Sequence, residues 1–310
     1  MKTNLLALIT FLAIGLTSCS KSDETITGVA TANANLSSLV AALNKADLAT
    51  TLQGAGPFTV FAPTNEAFSA FLTANGFKSL DSVPVPVLKE LLLNHVISGT
   101  AKSTSLTNNS YVKTLAKGSA SMSNNLSMFI STSAGVKLNG VATVTTADIN
   151  ASNGVIHIVD KVIGLPTIVT HATANPNFTS LVGALTGPGQ PDFVSILSGA
   201  GPFTVFAPTN DAFTSLNTEL APGGIAAVPA ANITKTLQYH VASGNVLAAS
   251  LTEGQVVNSI TAPVQSFTIM LAGGAKIKDA NNRMSNITAT DVQCANGVIH
   301  VLDKVLLPKF

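Results

Sequence analysis

Tryptophan is absent from this 310-residue chain, arginine occurs once and cysteine twice. Each shortage excludes something. With Arg283 as the sole arginine, a net charge of +1 and only 10% charged residues, no basic cluster exists to neutralise phosphates, so nucleic acid is not an expected partner. Lack of tryptophan disfavours a carbohydrate site built on stacked indoles, while hydrogen-bonded sugar recognition stays open. The cysteines form no C-x-x-C and no Cys/His cluster, which leaves zinc and thiol redox chemistry without support. Missing too are G-x-S-x-G, H-E-x-x-H, a P-loop and a G-x-G-x-x-G opening a helix. The reading is therefore non-catalytic, with no cofactor and no metal.

What the chain does contain is a duplication. Gly-Ala-Gly-Pro-Phe-Thr-Val-Phe-Ala-Pro-Thr-Asn-Glu-Ala-Phe runs from Gly54 to Phe68 and returns from Gly199 to Phe213, with Glu66 replaced by Asp211. Asn153-Gly-Val-Ile-His-Ile-Val-Asp-Lys-Val162 likewise recurs from Asn296 to Val305. A spacing this long exceeds the ~20 to 50 residues of solenoid repeats. Two whole domains in tandem are expected, over 32–165 and 166–310, each of ordinary size and able to bury a core without disulfides.

The first residues belong to neither repeat. Lys2 is a short positive region, and Leu5 to Leu16 is an apolar stretch of signal-peptide length, too short to span a bilayer. Leu16-Thr17-Ser18-Cys19 resembles the lipobox of bacterial lipoproteins, which implies cleavage after residue 18 and attachment of lipid (diacylglyceryl, palmitate-type chains) to the Cys19 sulfur. Residues 19–31 read as a polar tether. Ser20 after the anchor favours the outer membrane by the known sorting rule, and Ser20 to Glu24 looks loosely like tethers that send lipoproteins to the cell exterior. The expected location is the cell envelope, with a membrane partner through the anchor. Cys294 then has no partner, and Ala151 at its place in the first repeat marks it as a small space-filling hydrophobe.

Within each repeat the patterning is mixed. A helix is expected over Asn35 to Leu52, where Leu36, Leu39, Val40 and Leu43 share a face. Its second copy is followed by a helix-breaking insertion, Gly187 to Pro191. Phe58 to Ala62 reads as a strand with apolar groups on both faces, hence covered on both sides. Pro63-Thr64-Asn65 then switches strand to helix, with Thr64 or Asn65, and in the second copy the equivalents at Pro208-Thr-Asn210, capping the new helix. A third helix is expected over Val87 to Ile97, with Leu88, Leu91, Leu92, His95 and Val96 on one face. Alternating β-type sequence fills the remainder and ends in Val155 to Val162.

The Gly-Pro-Phe-Thr-Val-Phe-Ala-Pro-Thr-Asn block, the helix ending in Asn94-His95 or Tyr239-His240, and the closing Asn-Gly-Val-Ile-His-x-x-Asp-Lys-Val together resemble the fasciclin-like domain of cell-adhesion and extracellular-matrix proteins. The resemblance covers nearly all of residues 26–308, twice and in register. It implies an α+β fold, each domain a small β-wedge or sandwich flanked by a helical layer. The implied function is lipid-anchored adhesion or matrix interaction with a protein or polysaccharide surface. The alternative is an envelope protein that binds a glycan or small ligand, which a basic groove or a deep apolar pocket would favour.

The resemblance also nominates binding residues. The family's Tyr-His pair is intact only at Tyr239 and His240, since Asn94 replaces the tyrosine in the first copy, and Tyr239 is expected at the surface. The adhesive Asp-Ile pair resembles Asp148-Ile149, whereas Asp291-Val292 keeps only the acid. The bland alternative for Asp148 and Asp291 is a turn aspartate ahead of the last strand. His95, His157 and His300 lie on otherwise apolar faces and read as buried, hydrogen-bonded imidazoles. Asp160, Asp303, Asn65 and Asn210 are assigned structural polar roles. His171 falls between the repeats.

Overall fold

In the computed structural model residues 24–310 are described, so Cys19, the signal segment and most of the tether lie outside them. The first domain runs through helices α1 (Ile26–Ala32), α2 (Ser37–Lys45) and α3 (Ala49–Gln53), strand β1 (Phe58–Pro63), and helices α4 (Asn65–Ala74) and α5 (Val85–Leu93). Strands β2 (Val96–Ser98), β3 (Ser110–Lys113), β4 (Ser127–Ser131), β5 (Lys137–Leu138), β6 (Ala142–Ala151) and β7 (Gly154–Val159) complete it. The second domain repeats the order. Helices α6 (Ile168–Ala174), α7 (Thr179–Leu185) and α8 (Phe193–Ser198) lead into β8 (Phe203–Pro208), then α9 (Asn210–Glu219) and α10 (Ala230–Tyr239). Its last strands are β9 (Val241–Ser243), β10 (Val256–Asn258), β11 (Ser266–Met270), β12 (Lys276–Lys278), β13 (Met284–Cys294) and β14 (Gly297–Leu302).

Each domain is α+β with one seven-stranded mixed sheet, in the order β2-β1-β7-β6-β5-β4-β3 and β10-β11-β12-β13-β14-β8-β9. Among the strands of the described residues, the central pairs β1 with β7 and β8 with β14 are parallel and the other pairs antiparallel. The longest strands, β6 and β13, carry register shifts at Thr146–Ile149 and Ala289–Val292. A bulge bends its strand and increases local twist, which lets the outer strands turn back over the inner ones. Two cores result. Val60, Ala62 and Ile156 face the helices, whereas Phe61, Val159, Ile130 and Leu138 fill the space between the folded halves of the sheet. Strand β1 is thus covered on both sides, as its two apolar faces require.

Three local differences from the sequence reading have simple causes. The helix expected over Asn35 to Leu52 is broken, because Asp47 takes φ +54°, a conformation that Asp tolerates and a helix does not. The helix expected over Val87 to Ile97 starts earlier, after Pro84, and ends at Leu93; Val96 and Ile97 leave it to pair with β1. Burial alone cannot separate a helix end from a short buried strand when both are apolar. Finally, residues 26–32 are not tether but α1, with Ile26, Thr27 and Ala30 buried.

One asparagine per domain explains that last point. Asn153 accepts the Ile26 amide at 2.9 Å and donates to the Leu52 and Gly54 carbonyls, both at 2.8 Å. Asn296 does the same for Ile168, Leu197 and Gly199. Helix α1 is thereby the equivalent of α6. The signal was present in the sequence as Ala-Thr-Ala-Asn at 30–33 and again at 172–175. Beside each asparagine, Gly154 and Gly297 bring the last strand so close to β1 or β8 that an added Cβ would lie 1.9 or 2.1 Å from a phenylalanine carbonyl oxygen.

Candidate functional site

The capping segments fold as expected, with a division of labour. Thr64 and Thr209 cap α4 and α9 by accepting the amides of Ala67 and Ala212. Asn65 and Asn210 instead reach the preceding helices: each accepts an amide (Ser38, Ser180) and donates to a carbonyl (Ala34, Pro176). These side chains fasten the strand–helix switch to the first helices of the domain.

All four paired histidines are spent on backbone. His95 accepts the Ile163 amide at Nε2, so its proton is on Nδ1 and is donated to the Leu91 carbonyl at 2.8 Å. His240 does likewise between Leu306 and Thr236. Burial holds both rings down to about 4, against weaker raising by the Leu91 or Thr236 carbonyl. His157 has the opposite tautomer: Nδ1 accepts the Asp148 amide at 3.2 Å and Nε2–H donates to Ala101. His300 matches it with Asp291 and Val246, and burial lowers its pKa. Both rings stack on a phenylalanine, Phe61 or Phe206, at 5.4 Å.

Tyr239 is not a surface residue. It is fully buried; its hydroxyl donates to Ser266 at 2.7 Å and accepts from Ala280, and its ring meets Phe267 edge-on. Burial pushes its pKa up to about 12. One position round a helix leads to the surface only if the helix is covered on one side, and α10 ends where the folded-over sheet closes above it. Asn94, its counterpart, is equally buried and donates to Ile163 and Gly164. The Tyr-His pair therefore holds this domain together from inside, and its partial loss in the first domain is a change of core design.

Asp148 and Asp291 are bulge residues within the long strands rather than turn residues ahead of the last strand, with φ of +62° and +58°. Asp148 is half-buried, and its carboxylate accepts from the amide and hydroxyl of Ser103, which hold its pKa below the ordinary value. Asp291 accepts the Ala248 amide. Ile149 is half-buried and packs against the helical core. Asp160 and Asp303 accept the amides of Thr143 and Asn286, closing the ladder at the end of the last strand. Cys294 is a buried free thiol whose pKa burial raises.

The bulges also present a ridge. Thr145, Thr146 and Ala147 are exposed beside Asp148, as are Thr288, Ala289 and Thr290 beside Asp291. In the second domain the far end of this strand meets the first domain. Lys113 donates to the Asp291 carbonyl at 2.7 Å, the Gln293 amide to Ser127 and the Ala120 amide to Ala295. Tyr111 accepts from Asn175 and lies edge-on to His171 of α6. Sequence reasoning missed this junction, because His171 has no histidine in its repeat position: Val29 stands there, half-exposed. Neither ring nitrogen of His171 has a hydrogen bond of normal geometry. Burial holds it down to about 3, with Lys113 adding to the effect and the Ser127 backbone opposing it.

Among the described residues no group of three or more His, Cys, Asp or Glu could hold a metal ion, and no single helix is long and apolar enough to cross a membrane. Paired α+β domains whose polar side chains serve their own backbone define a tandem scaffold module. The chain belongs to the fasciclin-domain family: the Fasciclin domain profile matches residues 34–166 and 176–308. Fasciclin domains are non-catalytic adhesion modules. Protein sll1483 of Synechocystis sp. is 39% identical over 147 residues, 46% of this chain and 73% of that protein. Human periostin is 31% identical over 267 residues, 83% of this chain but only 29% of periostin's length. The solved FAS1 domain pair from the insect cell adhesion molecule Fasciclin I superposes with a TM-score of 0.49 at 20% identity, covering 86% of this chain and 92% of that one.

Proposed function

We propose that this chain is a lipid-anchored surface-interaction module of the cell envelope, tethered through Cys19 to the outer membrane and binding a protein or polysaccharide surface through its exposed faces. One observation carries the reading. The paired histidines His95/His240 and His157/His300 and the paired aspartates Asp148/Asp291 and Asp160/Asp303 are each hydrogen-bonded to backbone, so this duplicated polar set stabilises two scaffolds and leaves surface as the means of action. The contact face we assign is the ridge Thr145 to Asp148 with Ile149 beneath it. In the second domain the strand just past the equivalent ridge, at Asp291 and Gln293, bonds to the first domain, so this edge of the fold can meet a protein surface, and Thr145 to Ala147 are exposed.

The test uses intact cells of the source organism and fluorescent protein beginning at Ser22. Saturable binding that Ala147→Arg weakens, with an unchanged melting temperature, supports the face; binding unaffected by Ala147→Arg and Thr145→Arg together places it elsewhere. The anchor is tested separately. Cys19→Ser is expected to abolish incorporation of an alkyne-labelled fatty acid and to release the protein into the soluble fraction, because no thioether forms without the sulfur. A labelled, membrane-bound Cys19→Ser protein would overturn the lipobox assignment.

A further inference from the structure

We infer that the second domain carries a binding site for an uncharged alkyl chain, in a cavity of about 250 Å³ between α7, α9, α10 and the final residues, and that the first domain has no such site. The two repeats supply the argument, because the same positions are filled in one and open in the other. In the first domain Val83, Leu88 and Leu91 are buried, at 3% exposure or less, within a single continuous core. Their equivalents Val228, Ile233 and Thr236 are half-exposed and line the cavity. The helical core of the second domain is split accordingly: Ala212, Leu216 and Val305 form a cluster of their own, apart from the one around Phe178 and Leu237.

Two changes in the sequence open it. Lys45 at the end of α2 donates to the carbonyls of Leu80, Asp81 and Val83, at 2.7 to 2.8 Å, strapping that helix to the chain before α5. The second domain has Gly187 there and the insertion through Pro191, which carries no ammonium; only Gln190 bridges, to Ala230 and Thr234. The side chains have also shrunk, Leu91 to Thr236, Phe71 to Leu216 and Ala41 to Gly183. At Gly183 an added Cβ would meet nothing within 4 Å.

The wall chemistry sets the ligand class. No charged side chain lines the cavity. Both nitrogens of His240 and both amide atoms of Gln190 are engaged, and the Thr236 hydroxyl donates to Asn232, leaving its oxygen as an acceptor. A charged ligand would be desolvated without a partner, whereas a hydrocarbon chain with at most one donor group loses nothing. The volume exceeds that of an engineered apolar cavity, about 150 Å³, that stays dry and takes benzene. This site is independent of the adhesive ridge, which lies on the sheet of the other domain.

Methyl NMR of the full chain, labelled at Ile, Leu and Val and titrated with 1-octanol, tests it. Saturable shifts are expected at Leu216, Ile225, Ile233 and Leu237, with none at Leu80, Leu88 or Leu91. Thr236→Leu, which restores the side chain of the first domain, should weaken binding about tenfold or more while raising the melting temperature. Gly183→Leu, filling the cavity from the other wall, should act the same way. Absence of shifts up to the solubility limit, equal shifts in both domains, or unchanged affinity in both folded variants would each overturn the proposal. A parallel arm with phosphatidylcholine vesicles identifies the source of the chain: co-sedimentation that Thr236→Leu abolishes indicates a membrane lipid, and octanol binding without it indicates a free ligand.

Discussion

The imidazole of His157 and the backbone of Asp148 form one unit, the ring accepting an amide from a residue held at φ +62° in the middle of a strand. The other ring nitrogen binds Ala101, and the Asp148 carboxylate returns to Ser103. Bulge, last strand and the loop after β2 are thereby closed into one circuit. His157→Ala would leave the Asp148 amide and Ala101 carbonyl without their partner and a cavity beside Phe61, for a loss of about 2–3 kcal/mol. Urea unfolding of His157→Ala and His300→Ala should show this, each for its own domain. A loss below about 0.5 kcal/mol would mean that water replaces the ring.

The buried histidines also make stability depend on pH. His95 and His240 titrate near 4 in the folded protein against an ordinary 6.5, so between these values the unfolded chain binds more protons. Their stabilising effect is complete above pH 6.5 and is lost as pH falls toward 4, roughly 3 kcal/mol per ring across the window. His171, His300 and their depressed pKa values act in the same direction. The melting temperature is expected to fall steeply between pH 6.5 and 4, with a shallower fall in His95→Gln. A flat profile across that window would contradict the assigned tautomers.

Duplication made most of this fold legible. Paired motifs marked the covered strand, the Thr-Asn switch into a capped helix and the buried character of His157 and His300 without any partner being visible; that the threonine and not the asparagine is the cap came from the structure. What stayed hidden depends on contacts distant in sequence. Whether Tyr239 turns outward or inward is decided by the sheet folding over α10, and no periodicity within the helix encodes that. The role of Asn153 is spread over contacts 99, 101 and 127 residues away. Differences between copies were the poorest guide when read as family motifs, as with Asn94 and Tyr239. The change from Leu91 to Thr236 acquires meaning only once the structure shows the first buried and the second lining a cavity.

Asn153 and Asn296 each join three backbone groups, and no other residue type offers an acceptor and two donors in that shape. Asn153→Ala should destabilise the first domain by about 3 kcal/mol and detach α1, leaving the second domain's transition in place. Hydrogen exchange at the Ile26 amide reports the local event. Should that amide stay protected in Asn153→Ala, helix α1 is held by its apolar side alone.

At the junction, His171 is buried without a hydrogen bond of normal geometry, a state that costs about 1–3 kcal/mol. Val29 shows what the same helix carries at that position in the other repeat. His171→Val is therefore expected to raise the stability of the second domain, or at least not lower it, at neutral pH. A drop of more than about 1 kcal/mol would reveal that the edge-on contact with Tyr111 outweighs the buried nitrogens.

Separating the domains tests where each begins. A cut anywhere between Leu165 and Thr173 looks harmless in the sequence, but α6 starts at Ile168 and is pinned by Asn296, while the Ala295 amide donates to Pro166. The fragment 166–310 keeps both bonds and the buried side chains Ile168 and Ala172; the fragment 174–310 loses them all. We expect cooperative melting from 166–310 and none from 174–310. Removing the first domain also uncovers His171 and Asn175, so 166–310 should melt below the second transition of the intact chain. His171 should then titrate nearer its ordinary range, because Tyr111, which lies edge-on to the ring, and Lys113, which adds to the lowering, are both removed. Histidine NMR on 166–310 reads that shift directly. An unchanged, depressed His171 in the isolated fragment would show that the second domain alone buries the ring, and the junction would lose its claim to it.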